Sequence, residues 1–173
     1  MVSGRNVLTE LCSPEGFARA MEELPPDVRD TYVEATSLSW VPITVLEQVV
    51  EVCGRELGRD PFELNDQVSR VATERAFGTV WRVFLRFTSD NALISRTPVI
   101  YSKTYDTGRI VPNIPARGVA TIDLVEFPNV PEFVLRPLGV GIQTTLRCAG
   151  RRDAHVTYER VPGGARYSAT WQA

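Results

Sequence analysis

The hydrophobic period of this chain changes near Gly108, and that change constrains the fold more than any other feature. Upstream, apolar residues recur at helical spacing behind clear start signals. Downstream they alternate, as half-exposed strands do, with one further helical segment between the strands. Helices first and antiparallel strands later predict an α+β fold. Its helical layer packs on a small antiparallel sheet that a C-terminal β-hairpin closes.

The helix signals are local and specific. Ser13-Pro14-Glu15 places an N-cap residue before a proline at the first helical position and opens a helix over Pro14–Glu23. Pro25 and Pro26 stop it, and Pro26 begins a short helix to about Ala35. Thr44-Val-Leu-Glu47 has the capping-box pattern ahead of Val45–Leu57, whose Val45, Leu46, Val49, Val50, Cys53 and Leu57 form one apolar face before Gly58. Asp60-Pro61-Phe62-Glu63 is the clearest start. The helix it opens is expected to run to about Phe87 as the central helix. Leu64, Val68, Val71, Phe77, Val80, Trp81, Phe84 and Phe87 form its wide apolar stripe.

Asn91–Tyr105 carries a weaker helical signal, interrupted at Pro98. Gly118–Phe127 then alternates, with Ala120, Ile122 and Leu124 on one face. Pro131 opens a helix to about Ala149, within which Gly139 and Gly141 permit close packing or a bend. Asp153–Arg160 and Ala165–Gln172 alternate on either side of Pro162-Gly163-Gly164, a hairpin signal.

Length and composition limit the classes of function. At 173 residues the chain is expected to form a single domain over 1–173, with 1–12 as a loosely ordered lead-in. No apolar run reaches the roughly 18–20 residues a membrane span needs. The first ten residues lack the apolar core of a signal peptide, so a cytoplasmic location is expected. Cys12, Cys53 and Cys148 are odd in number and far apart, which reads as free buried thiols rather than a disulfide or zinc framework. His155, the one histidine, falls in a predicted strand and is expected to face water, so neither metal nor cofactor is expected. Residues 1–63 hold 12 acids and 5 bases, and residues 64–173 hold 9 acids and 14 bases, an asymmetry that suits a protein partner or a homodimer. The bases are scattered along the sequence, which does not suggest nucleic-acid binding.

No catalytic set is complete. Glu22, Glu23, Asp27 and Asp30 flank a Pro-Pro turn, where solvated charge is the ordinary state. Tyr101, Lys103 and Tyr105 lack the glycine-rich nucleotide loop that dehydrogenase chemistry requires. Ser37, Ser39 and Ser95 have no nucleophile-elbow setting, and Gly139-Val-Gly141 does not follow a strand. Trp40, Trp81, Phe84 and Trp171 either line a ligand pocket or fill the core. The chain is therefore expected not to be an enzyme.

Three stretches carry a family resemblance. They are Arg55-Glu-Leu-Gly-Arg59; Arg75-Ala-Phe-Gly-Thr-Val-Trp-Arg-Val-Phe-Leu85 followed by Ile100-Tyr-Ser-Lys-Thr-Tyr105; and Leu124-Val-Glu-Phe-Pro128 with the closing Tyr167–Trp171 strand. Together, over about residues 14–172, they resemble an uncharacterised domain family expanded in myxobacteria. That family is similar to the superfamily of 4-vinyl-reductase-type sensor domains, haem nitric-oxide-binding domains and TRAPP vesicle-tethering subunits. The resemblance implies a non-catalytic signalling module with a mostly apolar cavity, filled in relatives by an aromatic effector, haem or an acyl chain. The chain lacks the zinc-binding cysteine cluster of some sensor relatives and a haem-type histidine on a helix. Cys53 is on a predicted helix, either as a core thiol or as the carrier of a thioester-linked acyl chain.

The reading that results is a ligand-binding or protein-interaction module, with Trp81, Phe84, Cys53 and Tyr101 as candidate ligand-binding residues. Its ligand is small and apolar. The alternative is a helix-grip lipid- or polyketide-binding protein or cyclase, in which a curved sheet wraps a long helix.

Overall fold

The structure, a computed structural model, describes residues 2–36, 39–78 and 85–172. Val80, Trp81 and Phe84 of the expected central stripe, and Ser37, lie outside the described residues. The chain divides into two compact units, Met1–Arg75 and Ala76–Ala173, where the sequence reading expects one domain.

The first unit is helical. The expected loose lead-in is instead α1, Val2–Cys12, with Val7 and Leu8 buried. Burial of these two side chains supplies the tertiary contact that a short helix lacks in isolation. α2 (Pro14–Glu22) begins where Ser13 accepts a bond from the Gly16 amide at 3.2 Å. α3 (Pro26–Glu34) is closed by Arg5 of α1, whose guanidinium donates to the Tyr32, Val33 and Ala35 carbonyls. Those are groups that the last helical turn leaves without partners.

α4 (Ile43–Leu57) starts earlier than the capping box predicts. Pro42 is its N-cap, and its carbonyl accepts from the Val45 and Leu46 amides at 3.0 and 3.3 Å. Thr44 therefore lies inside the first turn and caps nothing. The other end follows expectation, with Gly58 left-handed at φ 62°. α4 packs against α2 and α3 and buries Val45, Val49, Val50 and Cys53.

α5 (Pro61–Ala76) begins with the cap bond from the Glu63 amide to Asp60 at 2.9 Å. It does not continue to Phe87. It stops at Ala76, and Gly78 follows two residues later, a position where a helix is costly. Leu64 and Val68 are buried as expected, but Phe87 is 86% exposed and is no part of a packed stripe. Arg75 at the end of α5 forms a bidentate pair with Glu10 of α1, at 2.8 and 2.6 Å.

The second unit is a four-stranded antiparallel sheet in the order β1-β2-β4-β3, with helices against it. Before the sheet come two short helices, α6 (Asp90–Ile94) and α7 (Thr97–Ser102), and both contact β1. The helical segment breaks at Ser95–Arg96, just ahead of Pro98, which lies in the first turn of α7, where its missing N–H costs nothing. β1 (Arg109–Ala116) was not foreseen, because Pro112 and Pro115 break its strand signal. It is tolerated because β1 is an edge strand, with one side free of ladder bonds.

β2 (Val119–Val125) and β4 (Gly164–Gln172) pair centrally and put Ala120, Ile122, Leu124, Ala165, Tyr167 and Ala169 into the core. Opposite faces of the same strands are wetter, as the bidentate Asp123–Arg166 pair at 2.7 and 2.9 Å illustrates. That arginine holds the Asp123 carboxyl below the ordinary aspartate range. β3 (Arg152–Val161) forms the terminal hairpin with β4 through Pro162 and Gly163, the latter at φ 79°.

α8 (Glu132–Cys148) lies against β3 and β4. Gly139 explains its place in that helix: a Cβ there would lie 3.4 Å from the Tyr167 ring, so anything larger than alanine must displace it. The helix-grip alternative expects a sheet that wraps its helix; here α8 packs mainly on β3 at one end of the strand order. Gly164 is tighter still. A Cβ built there would lie 1.8 Å from the Leu124 carbonyl oxygen, a backbone atom that cannot swing aside. Gly164→Ala is accordingly expected to destabilise the protein by about 3 kcal/mol, the upper end of overpacking costs. Urea unfolding measures it, and an unchanged midpoint would show that β2 and β4 do not approach this closely.

Candidate functional site

Cys53 lies in the first unit at the centre of a small buried group. It is fully buried on α4, and its thiol is within hydrogen-bonding reach of the Cys12 thiol on α1. Burial is the main cause that pushes both thiols above the ordinary cysteine range, and Glu56 adds to it. Burial also raises the neighbouring Tyr32 phenol, reinforced by Cys53. A protonated, solvent-free thiol neither attacks an acyl donor nor binds a metal. Cys53 is packed in the core of the first unit. Cys12 is buried with it, while Cys148 is only half-buried.

Tyr101 lies in the second unit. It is 4% exposed on α7, and its hydroxyl donates to the Thr107 carbonyl at 2.6 Å. Its ring stacks on Tyr105, with centroids 4.9 Å apart. Burial raises the Tyr101 phenol, helped by Tyr105 and Asp106, and pushes Tyr105 up to about 12. A phenol so committed to backbone closes the turn before β1. Lys103 between the two tyrosines is exposed, as expected of a solvated charge.

A second tyrosine pair lies between α8 and the sheet. Tyr167 is fully buried and donates to the Leu135 carbonyl at 3.0 Å. Tyr158, 5.6 Å away by ring centroid, donates to Glu132 at the start of α8. Of the other aromatics weighed as pocket or core, Trp40 is 56% exposed and Trp171 is buried. Trp81 and Phe84 lie outside the described residues.

The donors a haem would need are not where one could be held. His155 lies on β3 with its side chain exposed, on the strand face opposite buried Ala154. Cys12, Cys53 and Tyr32 are buried in the helical core of the first unit, and burial raises each above its ordinary range. The residues present do not fit the group. Among the described residues no cluster of three or more His, Cys, Asp or Glu is placed to hold a metal ion. No described helix is long and apolar enough to cross a membrane.

Arginines distant in the sequence meet in space: Arg86, Arg117, Arg151 and Arg152 line one open groove of about 600 Å³, together with Asp90 and Trp171. No local spacing announces it, because these residues come from the segment before α6, the β1–β2 turn, the end of α8 and the start of β3.

No family model and no curated protein sequence matches the chain. Solved structures do. The Fe(II) unliganded H-NOX protein from K. algicida matches with a TM-score of 0.71 at 9% identity, over 99% of this chain and 94% of that one. The H-NOX domain from Shewanella oneidensis in the Fe(II)CO ligation state matches with a TM-score of 0.71 at 9% identity, over 96% and 93%. An oxygen-binding H-NOX domain related to soluble guanylate cyclases gives 0.62 at 14%, over 99% and 95%. The chain has the fold of the H-NOX sensor domains, and at such identities the likeness is one of fold alone.

Proposed function

We propose that this chain is a non-catalytic sensor module of bacterial signalling that binds a small apolar ligand without haem. The observation that carries the reading is the H-NOX fold over at least 96% of the chain, combined with the exposed position of His155, the one histidine, on a strand. Such a fold couples ligand to output without turnover. A ligand acts by binding one conformation better than another, because equal affinity for both shifts nothing. Trp81, Phe84, Cys53 and Tyr101 are the side chains assigned to it, Cys53 and Tyr101 being buried. The kinship with the myxobacterial domain family, and through it with TRAPP subunits, belongs to this reading and rests on the three quoted stretches. So does a protein partner or a second copy as the receiver, supported by the acidic first 63 residues and the basic remainder.

Two measurements test it. Titration with ferric haem is expected to give no saturable Soret shift, whereas a stoichiometric complex abolished by His155→Ala would overturn the haem-free reading. Native mass spectrometry with a panel of fatty acids and aromatic acids is expected to retain a ligand, at reduced occupancy in Trp81→Ala. Retention of none sinks the ligand half.

A further inference from the structure

The arginine-lined groove lies wholly in the second unit, and it is independent of the sensor reading. Its floor is a finished piece of structure. Arg151, whose side chain is 10% exposed, pairs with Asp90 at 2.8 Å and donates to the Leu85 and Ala149 carbonyls at 3.1 and 2.6 Å and to that of Thr88. That arginine is satisfied. The other three are not: among the described residues Arg86, Arg117 and Arg152 make no ion pair and donate no side-chain hydrogen bond to protein. The one acid in the wall, Asp90, is already engaged by Arg151.

The rim is held in place by backbone. The Trp171 amide donates to the Gly118 carbonyl at 2.9 Å, which ties the end of β4 to the turn carrying Arg117. Arg152 pairs in register with Gln172 across the hairpin. The stem of Arg86 lies over Gly150, where a Cβ would come within 3.2 Å of it. Trp171 is 7% exposed, and its buried indole Nε1 has no acceptor among the described residues. With Asp90 engaged by Arg151, the excess charge around the groove is positive.

We propose that this groove binds a small soluble molecule bearing two or more phosphoryl charges. Planar guanidinium groups engage phosphate oxygens through paired N–H donors, geometry that a single ammonium cannot offer. Three unpaired arginines exceed what one carboxylate neutralises and match a diphosphate. A volume of about 600 Å³ lies within the range of small-molecule sites. Gathering like charges without counter-charges destabilises the free protein, so an anion that binds there raises its melting temperature.

Inorganic pyrophosphate is the probe. Calorimetry on the full chain at low salt is expected to show one saturable site, weakened roughly tenfold in Arg117→Ala and again in Arg152→Ala. Both residues are exposed and hold no other element, so the variants fold as the parent does. Thermal unfolding reads the same site, with a pyrophosphate-dependent rise that shrinks in the double variant. The affinity falls as sodium chloride is raised, since these charges face solvent. Absence of saturable binding, or binding that both variants retain, overturns the proposal. So does binding seen only with vesicles of a phosphomonoester lipid or only with duplex DNA.

Discussion

Tyr167→Ala is expected to lower the stability of the protein by roughly 3–5 kcal/mol, the range for emptying a fully buried aromatic position. Tyr167 is the largest of the fully buried side chains. It faces three things at once: the Tyr158 ring, the backbone of Gly139 on α8, and the Leu135 carbonyl. Tyr167→Phe separates the two contributions. It retains the ring and loses the hydroxyl, which is expected to cost about 1 kcal/mol, the net worth of an ordinary hydrogen bond. Denaturant unfolding followed by tryptophan fluorescence checks both. If alanine and phenylalanine cost the same, the ring is not packed between helix and sheet.

Arg151→Ala is expected to cost a similar amount, roughly 3–5 kcal/mol, by a different route. Removing the guanidinium strips the partner from Asp90 and takes one donor from each of the Leu85, Thr88 and Ala149 carbonyls, of which that of Leu85 keeps the Thr88 amide. Asp90 is the first residue of α6, and its side chain is 25% exposed, so water recovers only part of the loss. Arg151 also spans more than 60 residues of sequence, joining the segment before α6 to the end of α8. Its loss therefore loosens the groove wall as well as the fold. A double-mutant cycle with Asp90→Asn isolates the ion pair. An additive result there would mean that the carbonyl contacts, not the charges, hold the segment. Because Arg151 is saturated by protein, it is the wrong residue with which to test anion binding; Arg117 and Arg152 are the right ones.

Tyrosine and arginine differ in how visible these roles are before folding. Tyr167 stands in an alternating strand with Ala169 and Trp171 behind a Pro-Gly turn, so its inward direction follows from a period of two. Its hydroxyl partner on α8 does not, because side-chain bonding across 32 residues leaves no local trace. The same limit hid the partner of Cys53. Periodicity placed Cys53 on the apolar face of α4, whereas Cys12 beside it belongs to a segment read as a loose lead-in. Phe87 shows the opposite failure. An apolar stripe extended through Gly78 assigned it to a core, and the helix ends before that glycine.

What the sequence determined by itself was everything governed by neighbours within a turn or two. The bonds at Ser13 and Asp60, the left-handed Gly58, the Pro162–Gly163 hairpin and the α+β order all follow from short-range sterics and hydrogen bonding, which act before the chain is compact. Only the tertiary structure decided that β1 is a strand despite two prolines, since edge position is a property of the sheet and not of the segment. It alone also gathered Arg86, Arg117, Arg151 and Arg152 around one groove. Charge carries no periodic signature, and four bases from three separate stretches of the chain meet only where the elements between them have already packed.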